Sequence, residues 1–123
     1  MSRRTLLLIY LIAIVVLVAI PVGNENVKSL NSIFLLRLRG DYIVHMLLFV
    51  PWCFLKPGLD LSKWWWLLAG VAFALAAESL QYFIPYRAFN INDMIANALG
   101  VVLSFILVSI WQLRVSIKKE RGY

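Results

Sequence analysis

The stretch "INDMIANALGVVLSFILVSIWQL", Ile91 to Leu113, decides the fold. It opens with Asn92, Asp93 and Asn97, and then runs apolar almost without interruption. About twenty residues at 1.5 Å per residue cross a bilayer's hydrocarbon core, so this run is long enough to span one. Three more apolar runs precede it. "WWWLLAGVAFALAAESLQYFI" (Trp64 to Ile84) is of similar length, and "TLLLIYLIAIVVLVAIPV" (Thr5 to Val22) carries no charge. "DYIVHMLLFVPWCFL" (Asp41 to Leu55) is short and contains Pro51. A short span thins the bilayer locally or borrows flanking residues. The expected fold class is all-α: a four-helix transmembrane bundle, with spans at about 5–22, 41–55, 64–84 and 91–113, forming a single domain over 1–123.

Composition agrees. Of 123 residues, 63% are hydrophobic, and mean hydropathy is +0.84; soluble domains are roughly half apolar. The net charge of +6 does not suggest nucleic-acid binding, because the basic residues sit at segment ends rather than on one polar face. Topology accounts for them better. With the N-terminus inside, eight basic residues (Arg3, Arg4, Lys56, Lys63, Arg114, Lys118, Lys119, Arg121) face inward, against four outward (Lys28, Arg37, Arg39, Arg87). This predicts an N-in/C-in arrangement. Trp52, Trp64, Trp65, Trp66 and Trp111 fall near the inner ends, as an aromatic belt would. The basic tail "RVSIKKERGY" is expected to read anionic inner-leaflet lipid.

The first span reads as an uncleaved anchor rather than a signal peptide, because the run is long and Leu17 stands where a cleavage site wants a small residue. In the following loop, "SLNSIFLLRL" is either an interfacial segment or an ordinary loop with anchoring side chains. With one cysteine there is no internal disulfide, and Cys53 is expected to serve packing. No glycine-rich phosphate loop, cysteine pair or other cofactor motif is present, so no cofactor is expected.

Against this apolar background the polar residues stand out, since each is costly in lipid without a partner or a role. Asp41 and His45 are four apart, Glu78 and Gln81 three apart, Asp93 and Asn97 four apart. Such spacings put each pair on one helix face. Gly100 and Ser104 continue the stripe of Asp93 and Asn97, a pattern suited to helix–helix contact. Because successive spans alternate in direction, the start of the second, the end of the third and the start of the fourth lie on one side. Arg87 falls on the link between the last two. Three carboxylates, one imidazole, one guanidinium and two amides are thus expected to share one outer pocket.

Plainer roles compete. Asp41 suits a helix cap, Asn90 with Asp93 resembles a capping pair, and Arg87 suits an interfacial anchor. Glu78 resists such a reading: it lies within "ALAAESLQYF", too deep for its short side chain to reach water. Its expected partner is Arg87 or His45.

At these residues the chain resembles the VanZ-like family of bacterial membrane proteins. "DYIVHMLLF" supplies Asp41, His45 and Phe49; "ESLQYFIPYRAFNINDMIANALG" supplies Glu78, Gln81, Pro85, Arg87, Asp93, Asn97 and Gly100 in the family's order. The match covers about Gly40 to Leu107. The resemblance implies a multi-pass protein of the bacterial cytoplasmic membrane and cell envelope. The family takes its name from a protein associated with low-level resistance to the glycopeptide teicoplanin.

Two functional readings follow. In the first, the pocket binds a lipid-headgroup-like or glycopeptide-like ligand. Arg87 meets its phosphate or carboxylate, Gln81 and Asn97 orient polar atoms, and Asp41, Glu78 and Asp93 hold Arg87 and His45. In the second, the chain is an enzyme acting on a lipid-linked headgroup, with Glu78 and His45 as the acid/base pair. Asp41, His45, Glu78 and Asp93 are also an oxygen-rich set that could hold a divalent cation, although no diagnostic metal-ligand spacing is present and no metal is expected. Ser79 is the nearest hydroxyl, but it points about 100° away from the polar stripe. A proton relay ranks last, because the inner halves of the spans hold no ionisable residue. The expected partners are the bilayer, an amphipathic small molecule and further copies of the chain, not nucleic acid.

Overall fold

The computed structural model describes residues 1–19, 34–35, 38–58, 60–85 and 89–122. Four helices account for most of them: α1 (Arg3–Ala19), α2 (Gly40–Phe49), α3 (Lys63–Gln81) and α4 (Ile91–Glu120). The expected all-helical class holds, apart from a small antiparallel ribbon of β1 (Phe34–Leu35) and β2 (Leu38–Arg39) leading into α2. The interfacial or loop segment proposed around "SLNSIFLLRL" falls partly on this ribbon, and otherwise outside the described residues.

Helix ends follow local chemistry. The helix expected to continue to Leu55 stops at Phe49. Pro51 has no N–H, and its ring clashes with the preceding turn, so residues 50–55 close as a series of turns instead. Ser62 starts α3 by accepting from the backbone N–H of Trp65. Asn90 starts α4 by accepting from that of Asn92. Lys118 and Lys119 fall in the last turn of α4, where the helix dipole favours cations. α4 is also the one helix among the described residues that is long and apolar enough to cross a membrane by length and composition.

Small residues set the packing. On α3 the buried face runs Trp66, Gly70, Ala74, Ala77, Glu78, Gln81; on α4 it runs Ala96, Asn97, Gly100, Val101, Ser104. Residues without bulk let backbones approach closely. A side chain at position 100 would collide with the carbonyl of Met46, so α2 lies directly over Gly100. The opposite face of α4 is apolar and exposed: Ile95, Leu99, Val102, Ile106, Ile110 and Leu113 follow helical spacing. Over 95–113 the buried side of this helix consists of small or polar residues with Val101, and most of its large apolar side chains face outward.

The core contains Phe49, Trp52, Cys53, Trp66, Ala74, Ala77 and Val101, with Ile14 from α1. Trp52 and Trp66 depart from the expected belt. They are buried and stacked, ring centroids 4.7 Å apart, and each indole N–H donates to the other residue's carbonyl. Trp64, Trp65 and Trp111 remain exposed. Cys53 is buried, as a packing residue should be. Tyr10 of α1 donates its hydroxyl to the Leu48 carbonyl at 2.7 Å, tying α1 to α2.

Candidate functional site

Contacts fix the relative directions of the helices. His45 meets Asn97, and the Cys53 N–H donates to Ser104 Oγ at 2.9 Å, so α2 and the turns after it run parallel to α4. Glu78 meets Asn97 and Gly70 lies against Val101, so α3 runs antiparallel. The beginnings of α2 and α4 therefore meet the end of α3, which is the juxtaposition that the spacing of the polar residues implies.

Five side chains converge there. Glu78 is fully buried, and Gln81 and Asn97 nearly so. Glu78 Oε2 accepts from Gln81 Nε2 at 3.3 Å and from Asn97 Nδ2 at 3.4 Å. The other end of the Asn97 amide, Oδ1, lies 3.1 Å from His45 Nδ1. That pair of contacts orients the amide and puts a proton on Nδ1. His45 Nδ1 is also 4.0 Å from Glu78 Oε2, and its Nε2 is 3.8 Å from Asp93 Oδ2. Both ring nitrogens thus face oxygen. His45 and Asp93 are partly exposed, at 24% and 13%, so they form the accessible rim and Glu78 the floor.

A buried carboxylate is tolerated only when hydrogen bonds and a nearby positive or polarisable group offset its lost hydration. Here two amides and an imidazole supply this on one oxygen. The other, Oε1, is buried and makes no well-formed hydrogen bond, although the Asn90 backbone N–H lies near the carboxylate. Such an atom calls for a donor: a hydroxyl, an amine or an ordered water.

The remaining candidates divide. Asp41 is not joined to these five by the contacts above; its Oδ1 accepts from the Tyr42 backbone N–H at 3.0 Å, in the first turn of α2. Arg87 lies outside the described residues. Ser79 is exposed and donates to the Leu75 carbonyl at 2.8 Å, so it is turned away from the cluster. Asn90 caps α4 while the Asp93 side chain turns to His45, so these two do not form the reciprocal capping pair. Among the described residues, no group of three or more His, Cys, Asp or Glu side chains is placed to hold a metal; this includes the oxygen-rich set considered from the sequence. Phe49 and Gly100 serve packing: the Phe49 Cβ sits against Gly100, and its ring lies 6.0 Å from that of Phe73.

A model of the VanZ/LLP1 family matches residues 7–112. The chain belongs to the VanZ/LLP1 family. The match takes in every member of the polar cluster, together with most of α1, whose sequence alone carries no family motif. No curated protein and no solved structure matches the chain.

Proposed function

We propose that this VanZ-family chain is a four-span protein of the bacterial cytoplasmic membrane, forming one domain with both ends inside. Its polar cluster opens outward as a binding pocket for a lipid-headgroup-like or glycopeptide-like ligand, in the service of envelope maintenance or glycopeptide tolerance. The inverted α4 supports the membrane reading: in water its exposed apolar stripe would be a large cost. The imbalance of basic residues between loops supports the orientation.

The observation that carries the binding reading is the buried Glu78 Oε1, which makes no well-formed hydrogen bond, beneath a partly exposed histidine and aspartate. A ligand hydroxyl or amine entering past His45 and Asp93 satisfies that oxygen. Arg87 then meets the ligand's phosphate or carboxylate in a bidentate manner, with Asp41 at the rim. Gln81 and Asn97 act by holding Glu78.

Titration of the reconstituted chain with teicoplanin and with a polyprenyl diphosphate tests this. Binding of either, lost in Arg87→Ala while the helical signal is kept, is expected. Unchanged affinity in Arg87→Ala removes that residue's role, and no binding of either probe removes the pocket.

One observation favours a second reading. The His45 ring lies between the carboxylates of Glu78 and Asp93, an arrangement that can pass a proton to a headgroup. Glu78 and His45 are then the acid/base pair of an enzyme. Headgroup turnover by the unmodified chain, absent in Glu78→Gln, distinguishes it from binding alone.

A further inference from the structure

A cavity of about 480 Å³ lies at the other end of the helices. Arg3 of α1, Lys56 of the turns after α2, and Lys63 at the start of α3 contribute to its lining. Lys63 is about 22 Å from Glu78 along α3, taking 1.5 Å per residue, so this space is separate from the polar cluster.

Three cations from three different elements converge on the cavity, and among the described residues no carboxylate lines it. The described ion pairs both lie in the His45 cluster, so they leave these cations unneutralised. Lys56 Nζ donates to the Leu61 carbonyl at 2.5 Å, and Lys63 Nζ lies 5.6 Å and 5.8 Å from the ring centroids of Trp64 and Phe105. Both lysines line the cavity, and each ammonium group has donors to spare, since it carries three. Like charges gathered this way repel one another unless an anion sits among them.

The rest of the wall is of another kind. Phe105, Val108, Ser109 and Gln112 lie on one face of α4 at spacings of three and four, with Trp66 and Trp111 beside them. An aromatic and aliphatic wall beside three cationic side chains matches a molecule with an anionic head and an apolar tail. The volume falls within the range of small-molecule sites.

We propose that this cavity binds an anionic phospholipid. Its phosphate sits among Arg3, Lys56 and Lys63, Ser109 and Gln112 donate to its ester oxygens, and an acyl chain lies along Phe105, Val108 and Trp111. The proposal rests on the membrane reading above but not on the polar pocket.

The test uses the full chain in phosphatidylcholine vesicles. Flotation comes first: a chain that travels with the vesicles upholds the membrane reading whichever lipid fills the cavity. Tryptophan quenching is then compared between chain-brominated phosphatidylglycerol and chain-brominated phosphatidylcholine at equal mole fraction. A preference of at least about ten-fold for the anionic lipid is expected, since each basic residue near an anionic surface contributes about 1 kcal/mol. The preference should vanish in Arg3→Gln/Lys63→Gln and in the cavity-filling Ser109→Phe. It should survive in the tail variant Lys118→Gln/Lys119→Gln and in the presence of inorganic phosphate. Equal quenching by the two lipids overturns the site. So does a preference kept in both cavity variants or lost with the tail, and displacement by inorganic phosphate makes it a free-phosphate site instead.

Discussion

The carbonyl of Met46 occupies the space that a side chain at position 100 would need. Gly100 is therefore a point of close approach between α2 and α4, one turn from the His45–Asn97 contact. Gly100→Ala must push the helices apart, and overpacking of this kind costs about 1–3 kcal/mol. Gly70→Ala meets the buried side chains of Trp52 and Val101 rather than backbone, so side chains and not whole helices must give way, and it should cost less. Thermal unfolding in detergent checks the order; equal stability of Gly100→Ala and the unmodified chain would contradict the close approach.

Ser104 is fully buried, and its hydroxyl accepts from the Cys53 backbone N–H just after Pro51 has broken the helix. Ser104→Ala leaves that donor unsatisfied, at about 1–3 kcal/mol. Ser104→Thr keeps the oxygen. The expected result is a lowered midpoint for alanine, accompanied by faster hydrogen exchange at the Cys53 amide; exchange that stays slow would mean another acceptor takes over.

Asn97 bridges His45 and Glu78 through the two ends of its amide. Removing it should cost about 1–3 kcal/mol, because it strips partners from a buried carboxylate. Combined with Glu78→Gln, the loss should be smaller than the two single losses together, with a coupling of about 0.5–3 kcal/mol. Simple additivity would show that the bridge carries no energy.

These contacts also mark what sequence could reveal. The cluster was legible because helical spacing of three and four is rigid, and polar residues in apolar runs are few. Asn97, Gly100 and Ser104 announced a packed face in the same way. Pro51 foretells the early end of α2, although the continuing apolar run hides it. The Trp52–Trp66 pair was not legible. Its members are fourteen positions apart, and their meeting depends on turns whose path is set by the Ser104 contact rather than by any periodicity. Belt and core tryptophans have the same composition signal. Asp41 was ambiguous for a related reason: a carboxylate at a helix start serves a cap or a site equally well until the partners are placed.

The stacked indoles offer a spectroscopic check. Trp52 and Trp66 lie 4.7 Å apart at an interplanar angle of 14° and exchange hydrogen bonds. Two indoles this close should couple, giving a paired near- and far-ultraviolet circular dichroism signal. Trp52→Phe and Trp66→Phe should each abolish the whole couplet, and each should cost about 0.5–1.5 kcal/mol for the lost hydrogen bond. Trp64→Phe, at an exposed position, should leave the couplet intact. A couplet that merely halves in either core variant would mean that the two rings do not stack.

Span number and orientation can be tested together, because the chain has a single cysteine and it is buried. In a Cys53→Ser background, single cysteines are placed at Ser2, before α1, at Asn92, in the first turn of α4, and at Glu120, the last residue of α4. All three positions are exposed. Four crossings with both ends inside place positions 2 and 120 on the same side and position 92 on the other. A membrane-impermeant maleimide added to intact cells should label Asn92→Cys alone, and permeabilised cells should show all three. Labelling of Ser2→Cys and Glu120→Cys from outside, with Asn92→Cys protected, would keep four spans but invert them. Labelling that separates position 2 from position 120 would require an odd number of crossings. In that case α2, with ten residues reaching only about 15 Å at the helical rise, is the first element to reassign, as a re-entrant half-span.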